Sequence, residues 1–365
     1  MRTEADFSPT WAVPPGRTIA DLLASKRVLP EQMAQSMDLS VEEFGDLLKG
    51  NFALTRPVAT RLEAVLGASA AFWLRREEQY REQLAELTEG VDPENADYKA
   101  WLKSIPFKQM VDFGWIDEAA DKKTRLRRCL EFFGVPNLDA WNRTYGETRE
   151  AAAFRTTDAH VESAPATAAW LRRGEVLADR IDCKEWNPAR FEEQLSKVRE
   201  LTLLPNPADF LPRLQRACAE AGVSVIIVKA PSGCRASGAT FFSTPTKAVL
   251  LLSFRYLTDD QFWFSFFHEA GHLVMHYDTE SLILETTTDG PKSPMEEEAN
   301  QFAAEHLIPR MFQQRMHEAA KSMLGIVRLA RDAGVSKGIV VGQMQHQGLV
   351  KREHFNKLKT RYTWS

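Results

Sequence analysis

Cysteine is scarce in this chain of 365 residues, which contains only four. No two of them have the Cys-x-x-Cys spacing of a zinc or redox motif, and the chain is far longer than the small secreted domains that disulfides stabilise. We therefore predict ordinary reduced thiols. The four positions are Cys129, Cys183, Cys218 and Cys234.

The sequence also lacks long hydrophobic runs and an excess of one charge. Its longest apolar runs, such as AVLLLSF and FWFSFF, are far below the roughly 18 residues of a membrane span. The N-terminus has no basic-then-apolar signal pattern. The 46 basic and 50 acidic residues leave a net charge of −4, so there is no general attraction to nucleic acid or membrane. We expect a cytoplasmic protein without a membrane partner.

What is present is mainly helical periodicity. Short amphipathic helices fill residues 18–83, and two of them, joined at Asp38-Leu39, have the spacing of a helix-turn-helix. Strand patterns come only later, at residues 224–228, 238–243 and 247–253, and predict a small antiparallel sheet. The fold class is therefore a mostly helical α+β protein.

Breaks in this periodicity predict three domains. Gly90 and Pro93 interrupt a polar stretch, which places the first boundary near residue 92. Residues 1–92 are then a helix-turn-helix domain, residues 93–205 a helical connecting domain, and residues 206–365 the domain that contains the sheet.

The stretch FHEAGHL, which begins at Phe267, carries the clearest chemical signal. Residues four apart lie above one another on a helix, so His268 and His272 direct their imidazoles at one point, with Glu269 beside them. Two histidines, a third ligand and an open position for water are the requirements of hydrolytic zinc. Glu269 is then the general base. The alternative is that two histidines share a helix face by chance.

A third metal ligand is predicted in PMEEEANQFAAEHLIP, which begins at Pro294. Glu296 and Asn300 lie on one helix face, so Glu296 can bind the metal while Asn300 orients a ligand histidine. Glu297 and Glu298 fit a solvated charge run.

His276 extends the histidine stripe by one turn. It lies about 12 Å along the helix axis from His268, too far to share an ion. We expect it to support the ligands from behind or to face the substrate. Candidates for stabilising an oxyanion are His276, Tyr277 and Arg255.

The segments FWFSFFHEAGHLVMH and EEEANQFAAEHLIP closely resemble the ImmA/IrrE family of zinc metallopeptidases, and the flanking SGATFFSTPTKAVLLLSFR and GIVVGQMQHQGLV look like the same family. The resemblance implies a zincin-like domain in which His268, His272 and Glu296 bind Zn²⁺ and Glu269 is catalytic. It also implies a protein substrate, typically a DNA-binding repressor.

The N-terminal helices are similar to the helix-turn-helix of HigA-type antitoxins and Xre-family regulators, which makes DNA a candidate partner. Acidic side chains at Glu42, Glu43 and Asp46 occupy the base-facing positions of the second helix, where a polyanion is repelled. A dimerisation or partner-docking surface, including a homodimer, is therefore the alternative. Candidate nucleic-acid-binding residues are Lys26, Arg27, Ser40, Lys49, Asn51 and Arg56.

Two functional hypotheses result. The first is a zinc endopeptidase coupled to a helix-turn-helix module. The second is a transcriptional regulator or antitoxin whose metal centre is structural or sensory and cleaves nothing.

Overall fold

The chain divides into two compact units, Met1–Glu147 and Thr148–Ser365. The predicted boundaries at residues 92 and 205 stay predictions. Among the described residues, no helix is both long and apolar enough to span a membrane. The computed structural model describes residues 13–26, 28–37, 39, 41–50, 54–89, 92–145, 164–244, 246–253, 258–277, 282–286 and 294–362.

The described part of the first unit consists of helices joined by turns and loops. Its helices are α1 (Pro15–Lys26), α2 (Pro30–Ser36), α3 (Val41–Lys49), α4 (Arg56–Leu66), α5 (Ala70–Glu89), α6 (Ala96–Ser104), α7 (Phe107–Asp112), α8 (Lys122–Phe133) and the described part of α9 (138–145).

Helices α1 to α5 share one apolar core, in which Trp73 of α5 is completely buried. Gly50 ends α3 with a positive φ of 76° and lies against the ring of Tyr80. A Cβ at Gly50 would lie 2.7 Å from the Tyr80 hydroxyl, so glycine permits both the turn and the contact. Arg81 donates to the Gly50 carbonyl at 2.9 Å, which holds α5 against the end of α3.

The second unit combines helices with one sheet, so the coarse prediction of a mostly helical α+β protein is confirmed. Its elements are α10 (Ala164–Ala178), α11 (Pro188–Glu200), α12 (Pro207–Ala219), β1 (Val223–Ile227), β2 (Ala236–Thr244), β3 (Lys247–Leu252), α13 (Asp259–Met275), β4 (Leu282–Thr286), α14 (Pro294–Leu307), α15 (Arg310–Gln313), α16 (Met316–Ala319), α17 (Met323–Ala333) and α18 (Lys337–His346).

The sheet has the order β1-β3-β2-β4, and the prediction that it is antiparallel was wrong for one pair. Strands β2 and β3 form an antiparallel hairpin, and β4, which follows α13 in the chain, pairs antiparallel with β2. Strand β1 instead pairs parallel with β3. The chain reverses direction between β1 and β2 and again in the β2–β3 hairpin, so β1 on the free edge of β3 runs in the same direction as β3.

Helix α13 is the central helix of this unit and packs against α14, α18, β2 and β3. Its aromatic side chains Trp263, Phe266 and Phe267 are completely buried. The segment after α18 holds the start of the helix, because Asp259 accepts from the Thr360 amide at 2.9 Å and Trp263 Nε1 donates to the Tyr362 hydroxyl at 3.0 Å. These contacts hold the N-terminal half of α13 in place.

Candidate metal centre

His268 and His272 lie on α13 as the helical spacing predicts, and both are 1% exposed. Their Nε2 atoms are 3.1 Å apart. Because both side chains are almost completely buried, the imidazoles point into the protein and not into solvent. Two imidazole nitrogens at this separation are directed at one point.

Glu296 of α14 reaches the same point. Its Oε2 lies 3.3 Å from His268 Nε2 and its Oε1 lies 3.6 Å from His272 Nε2. Helices α13 and α14 approach closely because Gly271 faces Phe302, where a Cβ would come within 3.0 Å of the ring. The predicted ligands therefore meet, and His268, His272 and Glu296 offer ligand atoms that all lie within 4.8 Å of one another.

These distances fit one zinc ion. Zinc binds nitrogen and oxygen ligands at about 2.0–2.2 Å in a tetrahedron, so neighbouring ligand atoms are separated by about 3.3 Å. The three observed separations of 3.1, 3.3 and 3.6 Å bracket that value. A zinc ion held by two nitrogens and one carboxylate would keep its fourth position for water, as in catalytic zinc sites.

Glu269 is completely buried and lies against strand β2. A Cβ on Gly238 would be 2.6 Å from the Cδ of Glu269 and closer still to its Oε1. Only glycine leaves the space that the carboxylate occupies. Sequence reasoning placed Gly238 in a strand without a role, although a glycine inside a strand pattern is a known sign of close approach.

His276 lies behind His272 and not at the convergence point. Its Nδ1 is 3.1 Å from His272 Nδ1, and its Nε2 is 2.8 Å from Glu298 Oε2. Glu298, predicted to belong to a solvated charge run, therefore makes a specific contact. Sequence reasoning missed it because two adjacent glutamates, Glu297 and Glu298, are equivalent until the neighbouring helix is placed.

The other predicted residues of this site are not among the three groups that converge as metal ligands. Asn300 is half-buried one turn after Glu296, and its role in orienting a ligand stays a prediction. Tyr277 packs its ring at 5.9 Å from that of Trp186. Arg255 lies outside the described residues.

The structure describes the side chains of two predicted nucleic-acid-binding residues. Lys26 is exposed at the end of α1, and Arg56 is exposed at the start of α4. Val41, the first residue of α3, is 46% exposed. Outside the described residues lie Arg27, Ser40 and Asn51 and the side chains of Glu42, Glu43, Asp46 and Lys49.

A His-Glu-x-x-His helix joined by a glutamate from the following helix defines the second unit as metallopeptidase-like. Residues 218–343 match the family model of the IrrE N-terminal-like domain, Peptidase_M78. The matched segment contains the whole site, from Gly238 to Glu298. It supports the resemblance to the ImmA/IrrE family for this module. A search among curated proteins gave no match to the chain.

Proposed function

We propose that the C-terminal domain is a zinc-dependent endopeptidase. The observation that carries the proposal is the convergence of His268 Nε2, His272 Nε2 and the Glu296 carboxylate within 4.8 Å, directly beside the buried Glu269. The match of residues 218–343 to a peptidase family model supports it independently.

In the proposed hydrolysis of a peptide bond, the metal and the side chains have different roles. Zinc bound at this centre supplies a Lewis acid and lowers the pKa of water toward neutrality. His268, His272 and Glu296 would hold it. Glu269 takes a proton from the attacking water and transfers it to the nitrogen of the leaving amine, as a general base that then acts as a general acid. The buried setting of the carboxylate against β2 keeps it oriented for both transfers.

The proposed substrate is a regulatory protein, specifically a DNA-binding repressor or a relative of one. This follows from the resemblance of the C-terminal module to ImmA/IrrE peptidases. The helix-turn-helix-like spacing in the same chain supports it, because a regulator-like unit fused to a peptidase would bring the enzyme to regulators or their DNA.

Metal content tests the peptidase proposal. Elemental analysis of the purified full-length chain is expected to find one zinc per chain. His268→Ala removes one of three ligands and is expected to lose the metal, whereas His317→Ala, at an exposed position on α16, retains it. Each protein is then incubated with regulator proteins encoded beside it, and cleavage is expected only where zinc is bound.

Two results would contradict this proposal in different ways. Wild-type protein without stoichiometric metal would mean that the histidine pair is coincidental and that the chain is a binding module. Stoichiometric zinc without cleavage of any regulator would favour the alternative, a regulator or antitoxin with a structural or sensory metal centre.

We further propose that the N-terminal helix-turn-helix binds DNA, with Lys26 and Arg56 contacting phosphates. Both side chains are exposed at helix ends in the first unit.

Replacing both Lys26 and Arg56 by alanine is expected to weaken binding to a pool of randomised DNA duplexes. The slope of log affinity against log salt concentration is expected to become shallower by about 2. Lys103→Ala, at an exposed position on α6, is the control. If wild-type protein binds no duplex at low salt but dimerises, the unit serves as a docking surface.

A further inference from the structure

The histidine stripe on α13 continues beyond the metal centre and ends on a carboxylate. His272 Nδ1 lies 3.1 Å from His276 Nδ1, and His276 Nε2 lies 2.8 Å from Glu298 Oε2. Both ring nitrogens of His276 are therefore engaged. Three side chains form a line that leads from the metal centre toward the surface.

The positions of the protons along this line follow from the first contact. A histidine that ligates through Nε2 needs its lone pair there, so neutral His272 carries its proton on Nδ1. That N–H donates to His276 Nδ1, which must be unprotonated to accept it. His276 then carries its own proton on Nε2 and donates it to the Glu298 carboxylate. Each hydrogen bond fixes the direction of the next.

We propose that His276 and Glu298 are positioning residues that fix the tautomer and the ring orientation of His272. The inference rests on the proposed function, because it takes His272 to be a zinc ligand. Hydrogen bonds of this kind, from the far nitrogen of a ligand histidine to an acceptor, orient the ring and raise its basicity. Here the acceptor is a second histidine that relays the interaction to a carboxylate.

The surroundings of His276 favour this role. Its side chain is 6% exposed, so water does not compete for its contact with His272. It is the first residue after α13, with a non-helical φ of −123°, while its amide still donates to the His272 carbonyl at 2.9 Å. The backbone of His276 is thus held one helical turn after His272, and its ring faces the His272 ring.

Glu298 provides the accessible end of the line. Its side chain is 61% exposed, and it lies two residues after the ligand Glu296 on α14. A single helix thereby supplies both a metal ligand and the carboxylate that supports another ligand. The neighbouring Glu297 is also exposed and is available as a matched control.

The experiment measures the zinc dissociation constant by competition with a chromophoric chelator, together with the thermal stability of the zinc-free protein. His276→Ala is expected to weaken zinc binding by about 10–100-fold. Glu298→Ala is expected to weaken it in the same direction but by less. Glu298→Gln keeps a neutral acceptor and is expected to recover most of the affinity, while Glu297→Ala leaves it unchanged.

The stability of the zinc-free protein shows whether a variant weakens zinc binding through the orientation of His272 or through a general loss of folding. Glu298 is largely exposed, so Glu298→Ala is expected to leave that stability unchanged even if His276→Ala does not fold. If wild-type protein binds stoichiometric zinc and both alanine variants bind it equally well, the positioning role is overturned and the peptidase proposal stands. Wild-type protein that binds no zinc would overturn both.

Discussion

Replacing Glu269 with glutamine is expected to lower the rate of peptide hydrolysis by about 10²–10⁴-fold, the usual contribution of a general acid-base residue. Glutamine has nearly the same shape and fits the space against Gly238, but it cannot take a proton from water. Because Glu269 is not one of the three converging ligands, zinc content is expected to stay at one per chain. Turnover of a cleaved regulator and elemental analysis on the same samples measure the two effects.

Glu297→Gln is the control for this variant, because it makes the same chemical change at an exposed position on α14. It is expected to retain wild-type turnover. Full activity in Glu269→Gln would show that another group accepts the proton. Loss of zinc in that variant would instead show that Glu269 organises the metal centre.

The second large effect is expected at Gly238, which has no reactive group. In Gly238→Ala the new methyl group would meet the Glu269 carboxylate, whose Cδ would lie only 2.6 Å from the added Cβ. Overpacking of this kind costs about 1–3 kcal/mol of stability. A displacement of the general base by about 1 Å costs about 10²-fold in rate. Denaturant unfolding and turnover assays measure both quantities.

A double-mutant cycle tests why position 238 requires glycine: because of contact with the Glu269 carboxylate, or because of the backbone conformation of β2. The three nearest atoms to a Cβ at Gly238 all belong to Glu269, so Gly238→Ala is expected to cost little stability in a Glu269→Ala background. The competing cause is backbone conformation, since the pairing of β2 with β4 shifts register between Ala236 and Gly238. An equal cost in both backgrounds would assign the requirement for glycine to the strand.

The helices of both units could be predicted because each depends on residues close in sequence. Five short helices were expected over residues 18–83, and five helices, α1 to α5, are found from Pro15 to Glu89. The helical spacing that places His268 and His272 on one face of α13 also followed from local sequence. The direction of β1 did not, because all three predicted strands are apolar and pairing direction depends on which strand edge is free. The parallel pairing of β1 with β3 is the result.

For the predicted ligands, too, local spacing fixes some features and the packing of helices fixes others. His268 and His272 face one point because of helical spacing alone. The choice of Glu296 from three adjacent glutamates used the face that it shares with Asn300. Its distances of 3.3 and 3.6 Å to the two histidines, however, depend on how α14 packs on α13 through Gly271 and Phe302.

The sequence by itself determined the chemistry that the candidate site can offer: two histidines and a glutamate at fixed spacing on one helix, and a cluster of carboxylates on the next. Only the tertiary structure decided that Glu296 joins the histidines, that Glu298 meets His276 at 2.8 Å, and that Gly238 gives the Glu269 carboxylate its space. The physical reason is the range of the interactions. Spacing along a helix is set by local backbone hydrogen bonds, whereas contacts between elements depend on how the buried side chains of α13, α14 and β2 pack together.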